Sequence, residues 1–168
     1  MEFVPKRYLI VGGGASGVIT AIALIRDGIA PEQIVIAEPR ELLGEGLAYR
    51  TRDALHRLNV LTSRMSAIAD APDDFVEWSN AIPYSFMERR NYSTYLRDRL
   101  GNQINHTSEF VLDLTPQSNG QTITTFSSGS TTTYGGVVLA MGIEFHRYRD
   151  DSLVAGSKKQ CDRYFGLR

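Results

Sequence analysis

The residues whose types and spacing specify chemistry are three glycines and one acid. Gly12, Gly14 and Gly17 form a G-x-G-x-x-G pattern, with Gly13, Ala15 and Ser16 between them. The pattern follows the apolar run Tyr8-Leu9-Ile10-Val11 and runs straight into Val18-Ile19-Thr20-Ala21-Ile22-Ala23-Leu24-Ile25. A glycine at 12 permits a tight turn out of a strand. One at 14 lets backbone come close to a diphosphate, where a Cβ would collide, and one at 17 lets a helix lie against a sheet. The N-terminus of that helix offers unpaired N–H groups and the positive end of a dipole to the phosphates. Glu38 ends the second apolar run, Gln33-Ile34-Val35-Ile36-Ala37. It falls about 20 residues past the glycines, where a carboxylate accepts hydrogen bonds from both ribose hydroxyls. G-x-G-x-x-G by itself is weak; strand, glycines, helix and acid in this order are stronger. The competing reading is a glycine-rich turn of some other α/β protein with a solvated acid at a strand end.

The elements that position these residues follow from the pattern. A nearly all-apolar first strand fits a central parallel strand covered on both faces. The helix is expected from about Ser16 to Asp27, with Gly28 just past its end and Pro31 preventing continuation. The second strand completes a right-handed βαβ unit. From Pro39 to Leu58 the chain reads as irregular. Gly44 and Gly46 bracket Glu45 there, as in a loop packed near a bound dinucleotide or in a surface loop that needs glycine only for its turns. Asp70 to Asn80 reads as a helix opened by Pro72, Asp73 and Asp74. Asn91 is a candidate cap for another, with Tyr92, Tyr95, Leu96, Leu100 and Ile104 on one face and Arg89 and Arg90 at its entrance. Phe110–Leu114, Gln121–Phe126 and Thr131–Tyr134 are short, rich in β-branched and aromatic residues, and separated by Asn119-Gly120 and Ser128-Gly129, the pattern of an antiparallel meander. Gly136–Gly142 again reads as a buried strand, one that rejoins the parallel sheet. The fold class is α/β, a Rossmann-like domain over residues 1–142 with a meander, followed by a polar tail over 143–168.

Bulk properties narrow the function. A chain of 168 residues is enough for one domain with a real core. The net charge of −1 gives no argument for nucleic acid or an anionic membrane. Cys161 is the single cysteine, so no internal disulfide forms, which fits a reducing, cytoplasmic setting. Val18–Ile25 is closed by Arg26 and Asp27 and is too short to cross a bilayer. No basic-then-apolar leader precedes the first strand. His56, His106 and His146 lack ligand spacing, so no metal is expected. Neither a G-x-S-x-G elbow nor a Walker lysine occurs, and no residue stands out as a catalytic acid or base.

The full order of motifs resembles a known group. Gly12, Gly14, Gly17 and Glu38 are followed by Gly44, Gly46, Ala48 and Tyr49; then Leu58-Asn59-Val60; Arg64-Met65-Ser66-Ala67; Phe86, Arg89 and Tyr95; the meander; and Val137-Val138-Leu139-Ala140-Met141-Gly142. Over about residues 7–142 this is similar to the bacterial FAD/NAD(P)-binding flavoproteins related to N-hydroxylating and Baeyer–Villiger-type monooxygenases. The resemblance implies FAD as cofactor, NAD(P)H as reductant and a small organic substrate, with the difficult chemistry belonging to the flavin. It places Gly12, Gly13, Gly14, Ala15, Ser16 and Gly17 at the diphosphate, and Glu38, Pro39 and Arg40 at the adenosine ribose. Gly46 falls beside the cofactor and Arg64 and Met65 near the flavin. Ala140, Met141 and Gly142 form a turn approaching the cofactor from the returning strand. Met141 stands where that family usually carries threonine, and Glu88 where proline is usual. No second G-x-G-x-x-G and no late Gly-Asp element appear, so the sequence reads as the first half of such a flavoprotein, either minimal or completed by a partner subunit or a homo-oligomer. Three functions remain at this level: a flavin-dependent oxidoreductase, a non-catalytic dinucleotide-binding or scaffold protein derived from one, and a plain NAD-binding domain.

Overall fold

The computed structural model of the chain describes residues 6–142. The expected polar tail and most of the lead-in lie outside them. Four parallel strands form the central sheet: β1 (Tyr8–Val11), β2 (Ile34–Ala37), β3 (Asn105–Thr107) and β7 (Gly136–Leu139), in the order β3-β2-β1-β7. A second sheet, antiparallel, is the meander β4 (Val111–Pro116), β5 (Thr122–Phe126) and β6 (Thr131–Tyr134). The helices are α1 (Ala15–Arg26), α2 (Asp74–Ser79) and α3 (Arg89–Leu100). This is the α/β, Rossmann-like fold with a meander that the sequence implies.

Strand alternation divides the core in two. Ile10, Ile34 and Ile36 point to one face, where Val18, Ala21 and Ile22 of α1 and Tyr92, Tyr95 and Leu96 of α3 cover them. Leu9, Val11, Val35 and Ala37 point to the other, where Val111, Phe126 and Tyr134 of the meander cover them. Burial on both faces is why β1 and β2 read as unbroken apolar runs rather than alternating ones. Register is direct: Tyr8 pairs with Ile34 on one side and Gly136 on the other, and Val11 with Ala37 and Leu139.

The order of strands matters most for function. From β1 the chain moves outward to β2 and β3, then returns through the meander to place β7 on the opposite flank of β1. The order in which the chain adds strands therefore reverses between β1 and β7, and ligands of open α/β sheets bind outside the carboxyl ends of the strands at such a reversal. The glycine turn leaves β1 at that point.

Several expectations are corrected. The edge strand β3 was not anticipated, because Asn105-His106-Thr107 carries no apolar pattern. β7 is not buried: it is the outer edge of the described sheet, with Val137 and Val138 half-buried and Leu139 58% exposed. The helix expected over 70–80 begins only at Asp74, after turns that use Pro72 and Asp73. Asn91 does not cap α3. Glu88 takes that position in an extended conformation, tied by a bridge to Arg57. The face of α3 carries the expected Tyr92, Tyr95, Leu96 and Leu100, all buried, but the helix ends at Leu100 and Ile104 lies beyond it. Tyr95 also anchors the preceding loop, its hydroxyl donating to Asp74 Oδ2 (2.7 Å) and accepting from Ala67 N–H (2.9 Å).

Candidate functional site

The chain leaves β1 through Gly12, whose φ of +103° is open to glycine and strained for other residues. A Cβ there would lie 2.5 Å from the Ala140 carbonyl oxygen, so the end of β7 closes directly against the turn. Gly12 N–H donates to Ala37 O (2.9 Å), and Ala140 N–H to Val11 O (2.8 Å). The turn is thus held between the carboxyl ends of β2 and β7. Gly17 sits on it from the helix side: a Cβ at 17 would fall 1.9 Å from the Gly12 carbonyl oxygen. Gly13 is walled by Leu43 Cδ2 and Glu38 Cβ, at 2.5 and 2.7 Å from an added Cβ.

Gly14 differs from the other three. The nearest atom to an added Cβ is Gly46 Cα at 3.5 Å, an ordinary contact. The protein's own packing gives no reason for glycine at 14. What a side chain would fill there is the space in front of the turn.

The peptide groups are aimed at that space. Gly13 N–H donates to Glu38 Oε2 (2.9 Å), and Gly13 O accepts from Gly44 N–H (2.7 Å). In a trans peptide the carbonyl and the following N–H point opposite ways. The bond to Gly44 therefore turns the Gly14 N–H away from that loop. α1 starts with Gly14 as its cap and no capping side chain, and Ser16 is exposed. Among the described residues, no protein acceptor meets the N–H groups of Gly14, Ala15 or Ser16. These are the free donors of a helix start, and with the dipole behind them they suit a phosphate.

Glu38 is buried, 3% exposed, one residue past β2. Its Oε1 accepts from Arg40 N–H (3.1 Å) and Arg40 Nε (2.7 Å). Its Oε2 accepts from Gly13 N–H and from Arg40 Nη2 (3.2 Å). A carboxylate has about four acceptor positions, and three of these four donors belong to Arg40. Burial alone would push the Glu38 carboxyl up; the Arg40 guanidinium and the two backbone N–H groups outweigh it and hold the group below its ordinary value of 4.5. A carboxyl lowered by folding contributes stability above its unfolded value, and that contribution is lost as the pH falls through the folded one. Asp74, lowered against its own burial by Arg99 and Tyr95, acts in the same sense. Glu38→Gln is accordingly expected to be less stable than the parent at neutral pH, with the two converging in acid. Urea melts taken from neutral pH down past 4.5 measure this; a constant gap between the two proteins would refute it.

The edge strand supports the acid from behind. Glu38 N–H donates to Thr107 O (3.0 Å), and His106 Nε2 donates to the Glu38 carbonyl (2.8 Å). Sequence reasoning saw His106 only as an isolated histidine. It also missed Arg97, which binds the loop facing Gly14. Both belong to segments more than fifty residues away, joined to the turn only by the fold.

The structure brings together Gly12, Gly13, Gly14, Gly17, Glu38, Arg40, Gly46, Ala140 and Met141, with Ala15 and Ser16 at the helix start. Pro39 links Glu38 to Arg40 and is half-buried. Met141 and Gly142 are exposed beyond the end of β7. Arg64 and Met65 are not joined to this group: Arg64 ends a short 3-10 turn with its side chain exposed, and Met65 packs against the helical-side core. A half-open cavity of about 440 Å³, lined by Ile22, Ile25, Arg26, Ile68, Asp74 and Arg99 among others, lies at the far end of α1 and shares no residue with the turn. No helix among the described residues is long and apolar enough to cross a membrane.

Comparison with known proteins agrees with this fold. A family model described as FAD-NAD(P)-binding matches residues 9–144. No curated protein sequence matches the chain. Among solved structures, S-allyl-L-cysteine S-oxygenase from Allium sativum is 21% identical with a TM-score of 0.62, over 83% of this chain and 37% of that one. OTEMO in complex with FAD and NADP is 16% identical with a TM-score of 0.63, over 89% and 28%. A cyclohexanone monooxygenase mutant from Rhodococcus sp. Phi1, bound to NADP+, is 14% identical with a TM-score of 0.63, over 82% and 26%. The chain thus spans 26% to 37% of the length of these structures, and at such identities the likeness is one of fold. With the family model covering most of its length, the chain belongs to the FAD-NAD(P)-binding family.

Proposed function

We propose that the glycine turn and Glu38 hold the diphosphate and adenosine ribose of FAD, and that the chain is the cofactor-holding part of a flavin-dependent oxidoreductase of monooxygenase type. The observation that carries this is Gly14, a fingerprint glycine whose only unmet steric demand lies outside the protein. The N–H groups of Gly14, Ala15 and Ser16 take the phosphate oxygens. Glu38 takes the ribose hydroxyls by exchanging Arg40 side-chain donors for them, while its bond to Gly13 stays. That exchange is open to Arg40, whose side chain is 47% exposed. Met141 and Gly142 line the approach from β7. FAD, when bound, would carry electrons from NAD(P)H to dioxygen, so that one oxygen atom passes to a small organic substrate and the other leaves as water. On this reading residues 1–142 form the dinucleotide domain and 143–168 a polar tail. The chain works in the cytoplasm, together with a partner subunit or a further copy of itself.

NAD at the same turn is the second reading. It rests on the residues assigned above, which would meet only the ADP moiety that FAD and NAD share. Glu38 would then disfavour a 2′-phosphate by charge. The purified chain separates the two. A yellow preparation releasing FAD on denaturation, or a melting temperature raised by FAD more than by NAD, supports the flavin reading. A colourless protein stabilised by NAD alone supports the second, and one indifferent to FAD, NAD and ADP refutes both. Oxygen-dependent NAD(P)H consumption by the yellow protein tests the oxidoreductase assignment.

A further inference from the structure

The loop that faces Gly14 is held from an unexpected direction. Leu43 is buried in the helical-side core, and Gly44 packs so closely on α3 that an added Cβ would lie 3.1 Å from Ser93 O. Arg97 of α3 reaches back to this loop. Its Nη1 donates to Leu43 O (3.0 Å) and lies 3.8 Å from Glu45 Oε1. Its Nη2 donates to Thr94 Oγ1 (3.2 Å), which fixes the guanidinium on its own helix. The next link is Gly44 N–H to Gly13 O (2.7 Å), and after it comes Gly46, against Gly14.

We propose that Arg97 is a positioning residue for the diphosphate: by holding the 43–46 loop it fixes the Gly13 carbonyl, and so aims the Gly14 N–H at the phosphate. It has a second effect on the same ligand. Glu45 brings a carboxylate into the loop beside the turn, and its side chain is only 18% exposed. Arg97 balances that charge where it would otherwise repel a diphosphate. A planar donor fork anchored on one helix and gripping both a carbonyl and a carboxylate is a task for arginine, and lysine performs only part of it.

The inference rests on the turn being a dinucleotide site, and the experiment separates the two. Binding of ADP and of AMP to the purified 168-residue chain is measured by calorimetry for the parent and for Arg97→Met. AMP engages the ribose acid with one phosphate, whereas ADP needs the aimed peptide groups. The parent should prefer ADP. Arg97→Met should reduce that preference about tenfold, as expected for loss of one aligned charge-assisted contact, with AMP affinity within about twofold of the parent. A merely structural role would weaken both nucleotides together, and that outcome overturns the proposal, as does an unchanged preference. If Arg97→Met does not fold, Arg97→Lys is measured instead; it should lose part of the preference, and full retention overturns the proposal. A parent that binds neither nucleotide overturns the dinucleotide reading itself, and the positioning role with it.

Discussion

Gly14→Ala is expected to leave the chain folded and to weaken FAD and ADP binding about a hundredfold. The backbone at 14 (φ −69°, ψ −172°) is extended, a conformation any residue adopts. An added Cβ meets only Gly46, whose Cα is nearest at 3.5 Å. The cost to the fold is the poorer capping of α1 by alanine, under about 1 kcal/mol. The cost to the ligand is much larger. A methyl group in front of the turn holds the phosphates off the Gly14 and Ala15 N–H groups. Charge-assisted hydrogen bonds are worth roughly 1.5–3 kcal/mol each, so losing the alignment of one or two of them corresponds to about 3 kcal/mol, or a hundredfold in Kd. Gly14→Val, which adds two more methyls in the same space, should abolish binding. Circular dichroism melts and calorimetric titration with ADP and FAD read the two effects separately. Unchanged affinity in a folded Gly14→Ala protein would mean that no diphosphate approaches this peptide.

What the sequence made legible, and what it hid, follows from which contacts are local. The strand–glycine–helix–acid order is readable because each part leaves its own mark: β1 and β2 are apolar throughout because both faces are covered, and Glu38 stands where its strand must end. The meander is readable from Asn119-Gly120 and Ser128-Gly129, where Gly120 and Gly129 do adopt positive φ. β3 is unreadable because its pairing with β2 is carried by backbone bonds, and backbone carries no sequence signature. The start of α3 was misplaced for a related reason. Asn91 is a good capping residue, but the bridge between Arg57 and Glu88 holds residue 88 extended, and the helix begins directly after it. A tertiary contact overrode a local preference.

The site shows the same division. The glycines and Glu38 were marked by spacing, yet what gives the turn its shape is contributed from a distance. Ala140 closes on Gly12, Gly44 fixes Gly13, Thr107 and His106 hold the Glu38 backbone, and Arg97 holds the loop. The fingerprint specifies where backbone must be bare. The parallel sheet, the irregular loop and α3 decide which way the bare peptides point. Arg40 stands two residues past Glu38, but nothing in the sequence hints that it supplies three of the carboxylate's four donors. On the proposed reading, ribose binding at Glu38 would be an exchange of donors rather than the filling of a vacant acceptor.

Gly17→Ala is expected to do the opposite of Gly14→Ala: to damage the fold first and binding only as a consequence. Helix propensity alone predicts a gain, since alanine in a helix interior is favoured over glycine by about 1 kcal/mol. Packing predicts a large loss. The added Cβ would lie 1.9 Å from the Gly12 carbonyl oxygen and 3.1 Å from its carbon, and these are backbone atoms held by bonds to the ends of β2 and β7, with no side-chain rotamer to relieve them. Either α1 lifts from the sheet, uncovering Val18, Ala21 and Ile22, or the turn deforms. Overpacking of this kind costs roughly 3 kcal/mol or more, which outweighs the propensity gain and lowers Tm by about 10 °C in a chain of this size. A thermal melt without ligand reads it, and a Tm equal to or above the parent's would mean that α1 does not rest on the Gly12 carbonyl. Saturating FAD discriminates further. If the variant relieves the clash by lifting the helix, the diphosphate loses its donors and FAD raises Tm less than in the parent, because stabilisation by a ligand depends on its affinity for the folded form alone. An undiminished increment from FAD would mean that the strain has left the donors at the start of α1 where they were.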